Sequence, residues 1–380
     1  MSSIWTHEEI FFSGDAYFQR LLADIDQARE SITVEVYIFN DDVLGQQVAQ
    51  HLMAAHKRGV KVQVIVDGVG SYQFQTNLGQ LLVRAGIIVK FYNPLPFIHP
   101  YHGNLTIIRK FEVFINRFLR INQRNHRKIV TIDYNIMYTG SFNFSADHTR
   151  LSEEKAWKDM GVRVAGTAVN YAVLNFKRNW KLREYFKFKK QLVGVKRVNW
   201  RHSPLRLGHT LFMRRFFFNN FVTRINRAQS RIWFISPYFI PKRRVIRALG
   251  KAARRGVDVR LMVSSESDIK LFRTLQYFHY PYLIKAGVKV FQYTDTVLHA
   301  KNYIIDDWMT IGSTNLNHRS MLHDMEVDLV IQSEKNRKLI EEHFQHCTQD
   351  LEPISLEAMK ARPLKDRVLC QLFFIFRYWL

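Results

Sequence analysis

One pattern of six residues occurs twice in this chain of 380 residues, and it constrains the fold more than any other feature. The first copy consists of His126, Lys128 and Asp133, followed by a glycine, Ser141 and Asn143. Its general form is H-x-K-x4-D followed by G-S-x-N. A single H-x-K carries no information, but recurrence of the whole pattern at matched spacing is not an accident of composition. The chain is therefore predicted to contain two copies of one structural unit.

The second copy consists of His299, Lys301 and Asp306, followed by a glycine, Ser313 and Asn315. Histidine and lysine are two residues apart in each copy, so their side chains share one face of a strand. The aspartate opens a turn, and the returning strand ends at glycine, where backbone amides can approach an oxyanion closely. Each copy is predicted to be a hairpin that brings imidazole, ammonium, hydroxyl and carboxamide together. Such a set forms a phosphate site that contains a nucleophile.

The rest of the chain repeats around these motifs. Residues 25–66 resemble residues 225–263, and each stretch reads as a helix, a strand, a helix closed by glycine, and a second strand. This alternation predicts two similar α/β halves with largely parallel, doubly covered sheets, and with the two motifs at their interface. We place the halves at residues 1–190 and 191–355, followed by a basic, apolar tail at 356–380.

The first half carries an insert at residues 96–124, roughly two dozen residues longer than the equivalent connection in the second half. Arginine and lysine alternate there with phenylalanine, isoleucine and leucine. The insert precedes His126 directly, so we predict a flap at the mouth of the site that touches a membrane surface. The alternative is a basic surface helix whose apolar stripe faces the core.

The formal net charge of +23 predicts a polyanionic partner, either nucleic acid or an anionic membrane face. Basic residues are mixed with aromatic ones at 176–190, 211–221 and 368–380. That mixture suits the lipid headgroup boundary, and it also suits base stacking on single-stranded nucleic acid. The alternative for the first two stretches is ordinary core helices with solvated basic faces.

The C-terminal stretch 368–380 is too short and too interrupted to span a bilayer, so it is predicted to be an interfacial anchor or a docked terminal helix. Residues 1–20 lack the charged and apolar regions of a signal peptide, and we expect a peripheral protein on the cytoplasmic side of the membrane. The two cysteines, Cys347 and Cys370, form no disulfide framework and have no partner at zinc spacing.

The doubled motif resembles the phospholipase D superfamily. The stretches 143–148, 157–159 and 312–320 are similar to bacterial cardiolipin synthases, and the beginning of the chain resembles the short B-type members without N-terminal membrane helices. The resemblance extends from about Phe12 to the tail. It implies two α/β sandwich halves, no metal or other cofactor, and transfer of a phosphatidyl group between lipids. The chain departs from the family pattern in its long insert and in Ala-Gly-Thr at 165–167, where Glu-Gly-Pro is more usual.

The resemblance implies a mechanism for the motif residues. His126 attacks phosphorus to give a phosphatidyl-histidine, and His299 protonates the leaving alkoxide and later deprotonates the incoming hydroxyl. The nearly symmetric sequence does not itself decide this order. Cations and hydrogen-bond donors neutralise the phosphodiester, and we expect these to be Lys128, Lys301, Ser141, Asn143, Ser313 and Asn315.

Four acidic residues accompany the two histidines. Asp159 and Glu326 follow their histidines at similar distances and are predicted to hold the imidazole tautomers; the alternative is a surface acid at the end of a strand. Asp133 and Asp306 belong to the motif that the family counts as catalytic. From the residues alone, these two are predicted to brace the turn.

The leading hypothesis is a cardiolipin synthase in which one phosphatidylglycerol donates its phosphatidyl group to the glycerol hydroxyl of another and glycerol is released. The sequence leaves phosphatidylethanolamine open as the donor. Its partners would be phospholipid substrates and an anionic membrane. The alternatives are a hydrolytic phospholipase D, another phosphatidyltransferase such as a serine-using one, a nuclease, and a non-catalytic membrane scaffold. Intact aspartates in both motifs and the apolar bulk of the tail argue against nucleic acid. One chain contains both motifs, so the sequence requires no dimer, and no oligomeric state is predicted.

Overall fold

The structure is a computed structural model that describes residues 4–75, 77–95, 114–115, 118, 123–152, 155–180, 200–266 and 274–373. Most of the insert at 96–124, residues 181–190 and the last seven residues of the tail lie outside the described residues. Among the residues described, no helix has both the length and the apolar character needed to cross a membrane.

Two seven-stranded sheets form the framework, one in each half. The first has the order β1-β7-β6-β5-β2-β3-β4 and consists of β1 His7–Phe11, β2 Ser31–Val36, β3 Lys61–Asp67, β4 Ile88–Tyr92, β5 Ile129–Ile132, β6 Ile136–Gly140 and β7 Gly161–Ala165. The second has the order β8-β14-β13-β12-β9-β10-β11 and consists of β8 Leu205–Leu207, β9 Arg231–Ile235, β10 Asp258–Ser264, β11 Lys289–Tyr293, β12 Asn302–Ile305, β13 Trp308–Gly312 and β14 Val327–Val330.

The two strand orders match position by position, which confirms the prediction of two similar α/β halves. Each motif is a hairpin, β5–β6 or β12–β13, as its spacing predicts. The prediction of largely parallel sheets is wrong. Only β2, β3 and β4, and their counterparts β9, β10 and β11, run parallel. The other pairs in each sheet are antiparallel, because the motif hairpin and the strands beyond it turn back along their neighbours.

The helices lie mainly outside the two sheets, which pack on each other through their inner faces. The helices are α1 Gly14–Gln27, α2 Val43–Lys57, α3 Leu78–Arg84, α4 Asn170–Trp180, α5 Leu211–Arg227, α6 Arg243–Arg254, α7 Tyr280–Lys285, α8 His318–Leu322, α9 Glu334–Thr348, α10 Leu356–Ala361 and α11 Leu364–Phe373. One apolar core lies under the helices of each half, and a third, including Ile129, Met137, Ile304 and Met309, lies between the sheets. Each sheet is therefore covered on one face by helices and on the other mainly by its counterpart.

The aromatic-basic stretch 211–221 and the first part of the tail can be followed in the structure. Helix α5, capped by the Thr210 hydroxyl, buries Phe218 and Phe221 against the second core but leaves Phe212 62% exposed. It is mainly a core helix with a basic face, as the alternative interpretation held. In the tail, Met359 of α10 packs on the same core and Arg362 lies 3.7 Å from the ring centre of Tyr277. The first part of the tail is thus docked on the protein.

Candidate active site

Two short backbone bridges join the halves immediately before the two histidines. In the first, the amide of His126 donates to the carbonyl of Met325 at 3.0 Å, and the amide of Met325 donates to the carbonyl of Arg124 at 2.9 Å. In the second, the amide of His299 donates to the carbonyl of Lys158 at 2.8 Å, and the amide of Lys158 donates to the carbonyl of Val297 at 2.9 Å. The bridges hold equivalent positions in the repeat and bring the two motifs together at the interface.

The carboxylates that contact the histidines cross between the halves. Nδ1 of His126 lies 3.0 Å from both carboxylate oxygens of Glu326, and Nδ1 of His299 lies 2.7 Å from Oδ2 of Asp159. Asp159 and Glu326 are therefore exchanged relative to their order in the chain, where each follows the other histidine. The bridges explain the exchange, because Glu326 follows Met325 and Asp159 follows Lys158. Each contact fixes Nδ1 and leaves Nε2 for chemistry.

Both lysines are buried beside the histidines. Lys128 is 3% and Lys301 is 1% exposed, and each ammonium donates to the carbonyl of the histidine two residues before it. Burial and the charge of Lys301 lower the pKa of Lys128 to about 7. The two ammonium groups are therefore close enough to repel each other. The negative charge of a phosphodiester bound between them would stabilise both.

The same burial keeps the histidines neutral. Desolvation and the charges of Lys128 and Lys301 hold the pKa of His126 well below its usual range. Burial and Lys301 lower the pKa of His299 to about 3, although Asp159 opposes this shift. A neutral imidazole with a free Nε2 is a nucleophile, so the unliganded site is ready to attack phosphorus.

The two serines differ from their expected role as phosphate ligands. Ser141 is fully buried; its hydroxyl donates to Asp159 and lies 3.1 Å from the carbonyl oxygen of Met160. The hydroxyl of Ser313 donates to Glu326 in the same way. Each serine directly follows a strand, and its carboxylate lies just before the neighbouring strand, so the two side chains meet at the same end of the sheet. The serines hold the carboxylates that orient the histidines.

The two asparagines are buried beside these serines. The side-chain oxygen of Asn143 accepts from the amide of Ile38 at 3.3 Å, whereas that of Asn315 has no hydrogen-bond partner among the residues described. An amide side chain offers two N–H groups as well as its oxygen. The asparagines therefore remain the polar members of the G-S-x-N pattern that suit a phosphate oxygen.

The motif aspartates lie at the other end of the strands from the histidines. Asp133 accepts hydrogen bonds from the backbone amides of Arg29, Glu30 and Ser31 at 2.8 to 2.9 Å. Asp306 does the same for the equivalent amides, those of Gln229, Ser230 and Arg231. The carboxylates therefore brace the connection between helix and strand, as the turn sequence predicts. The catalytic role that the resemblance implies for them does not fit this position, because the strand separates them from the histidines.

Sequence reasoning missed two residues that contact the carboxylates. Nδ1 of His148, a side chain only 1% exposed, lies 3.0 Å from Oδ2 of Asp159, the oxygen that also contacts His299. Ser320 donates a hydrogen bond to Glu326. His148 and Ser320 occupy the same position in the repeat, eight residues after the motif glycine. Comparing the two copies beyond the asparagine would have identified both.

Aromatic rings enclose the two histidines. Tyr37 lies 4.8 Å from His126 between ring centres, and Trp157 lies 5.6 Å from His299.

Among the described residues, one group has the donor set for a metal ion: His148, Asp159 and His299, with ligand atoms within 4.8 Å of one another. These atoms already make the contact that orients His299, and we assign them to that role.

Comparison with known proteins agrees with this geometry. A family described as "Cardiolipin synthase, PLD-like domain" matches residues 21–180 and 221–348. Cardiolipin synthase B of Shigella flexneri and that of Escherichia coli K12 are each 31% identical over 336 residues, which cover 85% of this chain and 76% of the relative.

Among solved structures, phosphatidylserine synthase of Haemophilus influenzae Rd KW20 superposes with a TM-score of 0.67 at 14% identity. The superposition covers 98% of this chain and 94% of that one, and at this identity it supports the fold alone. The family match and the relatives establish that the chain belongs to the cardiolipin synthase family of phospholipase D-like proteins.

Proposed function

We propose that the protein is a phosphatidyltransferase that synthesises cardiolipin. One phosphatidylglycerol donates its phosphatidyl group to the glycerol hydroxyl of another, and glycerol is released. The observation that carries this proposal is the pair of neutral histidines, each held at Nδ1 by a carboxylate of the opposite half, between two buried lysines. Membership of the cardiolipin synthase family supports the transfer of phosphatidyl groups between phospholipids.

The first half-reaction forms a covalent intermediate. Nε2 of His126 attacks phosphorus, and the bond from phosphorus to the oxygen of the headgroup glycerol breaks. The protonated Nε2 of His299 gives its proton to that oxygen. Lys128 and Lys301 neutralise the non-bridging oxygens, and Asn143 and Asn315 donate hydrogen bonds to them. Binding the anionic substrate offsets the lysine charges that lower the pKa of His299, so this imidazole gains its proton as substrate enters.

The second half-reaction reverses these roles. The neutral His299 removes the proton from the glycerol hydroxyl of the second phosphatidylglycerol. That oxygen attacks phosphorus, and the bond between phosphorus and Nε2 of His126 breaks. The reaction involves no oxidation or reduction, and both histidines return to the protonation states that they had when the substrate was bound. Water competes with the lipid hydroxyl at this step, so the yield of cardiolipin depends on a site that faces lipid and excludes water.

We further propose that the protein works peripherally on the cytoplasmic face of a bacterial membrane, through the tail at 356–380. On α11, Leu364 is 72% and Leu372 is 55% exposed, two helical turns apart on one face, while the chain carries a net charge of +23. An exposed apolar face on a strongly basic protein suits an anionic lipid surface. We also keep the boundary between the halves near residue 190, which lies between α4 of the first half and β8 of the second and outside the described residues.

Liposomes that contain phosphatidylglycerol labelled in both headgroup and acyl chains test the proposal. Purified protein should produce cardiolipin and free glycerol in equal amounts, and a His126→Ala variant should produce neither. Phosphatidic acid without cardiolipin would instead identify a hydrolytic phospholipase D. If phosphatidylglycerol is not consumed, phosphatidylethanolamine is the next donor to supply, and a nuclease assay follows only after that.

A further inference from the structure

A cavity of about 60 Å³ lies in the second half, directly behind the carboxylate that holds His126. It is bounded by α5, α8 and the strands β8, β12, β13 and β14. Glu326 and Ser320 form its inner end, next to the active site, and the half-exposed Arg214 and Phe217 stand at its outer end. Most of its wall is apolar and consists of Phe217, Phe218, Phe221, Trp308, Leu316 and Met321.

The first half has the same framework, but aromatic rings occupy this position. There Tyr17 of α1 is 3% exposed and packs with its ring centre 4.6 Å from that of Phe142. Gly161 provides the room, because a Cβ atom at this residue would lie 2.6 Å from the Tyr17 ring. Two aromatic rings and a glycine therefore fill the first half tightly.

The second half has a smaller residue than the first at one of these positions and a larger one at another. Thr314 occupies the position that Phe142 has in the first half. Asp328 pairs with Gly312 as Gly161 pairs with Gly140. Asp328 therefore occupies the position of Gly161. The Thr314 hydroxyl donates to Asp328 at 2.8 Å. Because close packing is the rule in protein interiors, a cavity at a position that aromatic rings occupy in the other half calls for an explanation by function.

The polar side chains that line the cavity already have partners. The Arg206 guanidinium donates to the carbonyl of Phe217 at 3.1 Å and lies over the rings of Phe217 and Trp308, 4.7 and 5.2 Å from their centres. Tyr303 donates to the carbonyl of Thr314, and Ser320 to Glu326. A water molecule needs two or more polar partners to be stable in a cavity, so this one suits a hydrocarbon better than water.

We propose that this cavity binds part of an acyl chain of the phospholipid substrate. The inference rests on the proposed function, because it takes the substrate to be a phospholipid whose phosphate reacts at His126. A chain in the cavity would lie behind Glu326 and anchor the lipid beside the reacting phosphorus. Occupancy would thereby link recognition of the chain to the carboxylate that orients the nucleophile.

Filling the cavity as the first half is filled tests the proposal. Thr314→Phe introduces the ring that Phe142 supplies in the first half. We expect the ratio of kcat/KM for dioleoyl phosphatidylglycerol to that for dihexanoyl phosphatidylglycerol to fall at least tenfold. The isosteric Thr314→Val variant, which keeps the space and loses the bond to Asp328, should keep the ratio of the unmodified protein. A ratio that stays the same in Thr314→Phe, whether or not both activities fall, would overturn the proposal.

Labelling of the unmodified protein is independent of the folding of any variant. Phosphatidylglycerol with a diazirine near the end of one acyl chain is photolysed in liposomes, and labelled peptides are mapped by mass spectrometry. We expect label on α5 at Phe217 or Phe218, or on α8 at Met321. Label confined to other surfaces, such as the exposed face of α11, would contradict the cavity assignment. Photolysis needs no turnover, so the labelling does not depend on the proposed function. If the protein made no cardiolipin, the proposed function would be contradicted, and the labelling would still show whether the cavity binds an acyl chain.

Discussion

The two histidine–carboxylate pairs share a backbone framework but differ in their surroundings. Burial raises the pKa of Glu326 to about 7, in spite of the nearby charge of Lys128. Burial acts on Asp159 in the same direction, yet the contacts with His299 and His148 hold the pKa of Asp159 well below its usual range. Near neutral pH, His299 thus faces a full negative charge, whereas His126 faces a carboxyl group that is partly protonated.

This difference suits an enzyme whose two histidines have separate tasks. A full charge on Asp159 favours an imidazolium at His299, as a general acid requires. Burial and the lysine charges keep His126 neutral, as a nucleophile requires, and the weaker charge on Glu326 opposes them less. Duplication supplied two equivalent positions, and substitutions around the carboxylates, such as histidine against serine at 148 and 320, made them unequal.

The largest effects are expected from the histidines themselves. His126→Ala and His299→Ala should each lower cardiolipin synthesis by at least about a thousandfold, with the fold retained. A phosphodiester with a p-nitrophenolate leaving group separates the two, because that leaving group needs no proton. We expect His299→Ala to release one equivalent of p-nitrophenol in a burst and His126→Ala to release none. A burst from His126→Ala alone would reverse the assignment.

Neutral substitutes for the carboxylates should have unequal effects. We expect Asp159→Asn to lower kcat by about a thousandfold throughout pH 6 to 8, because Asp159 stays ionised over that range. Glu326→Gln imitates the protonated acid that the unmodified protein increasingly contains below its pKa of about 7. Its deficit should therefore be small at pH 6 and grow as the pH rises to 8. Equal deficits with the same pH dependence would contradict the inequality of the pairs.

Replacing His148 by serine gives Asp159 the neighbour that Glu326 has. We expect His148→Ser to lower kcat about tenfold, because Asp159 loses a contact at 3.0 Å that holds its charge beside His299. A double-mutant cycle distinguishes this positioning role from general damage to the fold. The effect should disappear in an Asp159→Asn background. A full tenfold effect in that background would mean that His148 acts by some other route.

The smallest effects on turnover, and the most similar ones in the two halves, are expected from the motif aspartates, which lie far from the site. Asp133→Ala and Asp306→Ala each remove three backbone hydrogen bonds, and each should cost about 2 kcal/mol of unfolding free energy, measured by urea denaturation. Burial raises the pKa of Asp306, but hydrogen bonds from Ser230 and Arg231 outweigh it and lower the pKa below its usual value. Its contribution should be complete above pH of about 4 and decline as the pH falls further. Loss of turnover comparable to that of the histidine variants would restore a catalytic role.

Local pattern was enough to predict the hairpins, the duplication and the residues that gather at the interface. It was not enough to predict which carboxylate serves which histidine, because Glu326 lies two hundred residues after His126 and reaches it through a backbone bridge that no local pattern marks. The direction of the Ser141 hydroxyl is likewise set by Asp159 and Met160, which lie just before the neighbouring strand. The antiparallel pairs follow from strand order, which depends on tertiary contacts rather than on periodicity.

The most direct test is to locate the covalent intermediate. Protein mixed with phosphatidylglycerol is quenched in alkali within one turnover, digested and analysed by mass spectrometry, with His126→Ala and His299→Ala as controls. We expect the phosphatidyl mass on the peptide that contains His126, in the unmodified protein and in His299→Ala under slow turnover. The same mass on the His299 peptide, or rapid turnover with no modified peptide at all, would contradict the division of labour between the two histidines.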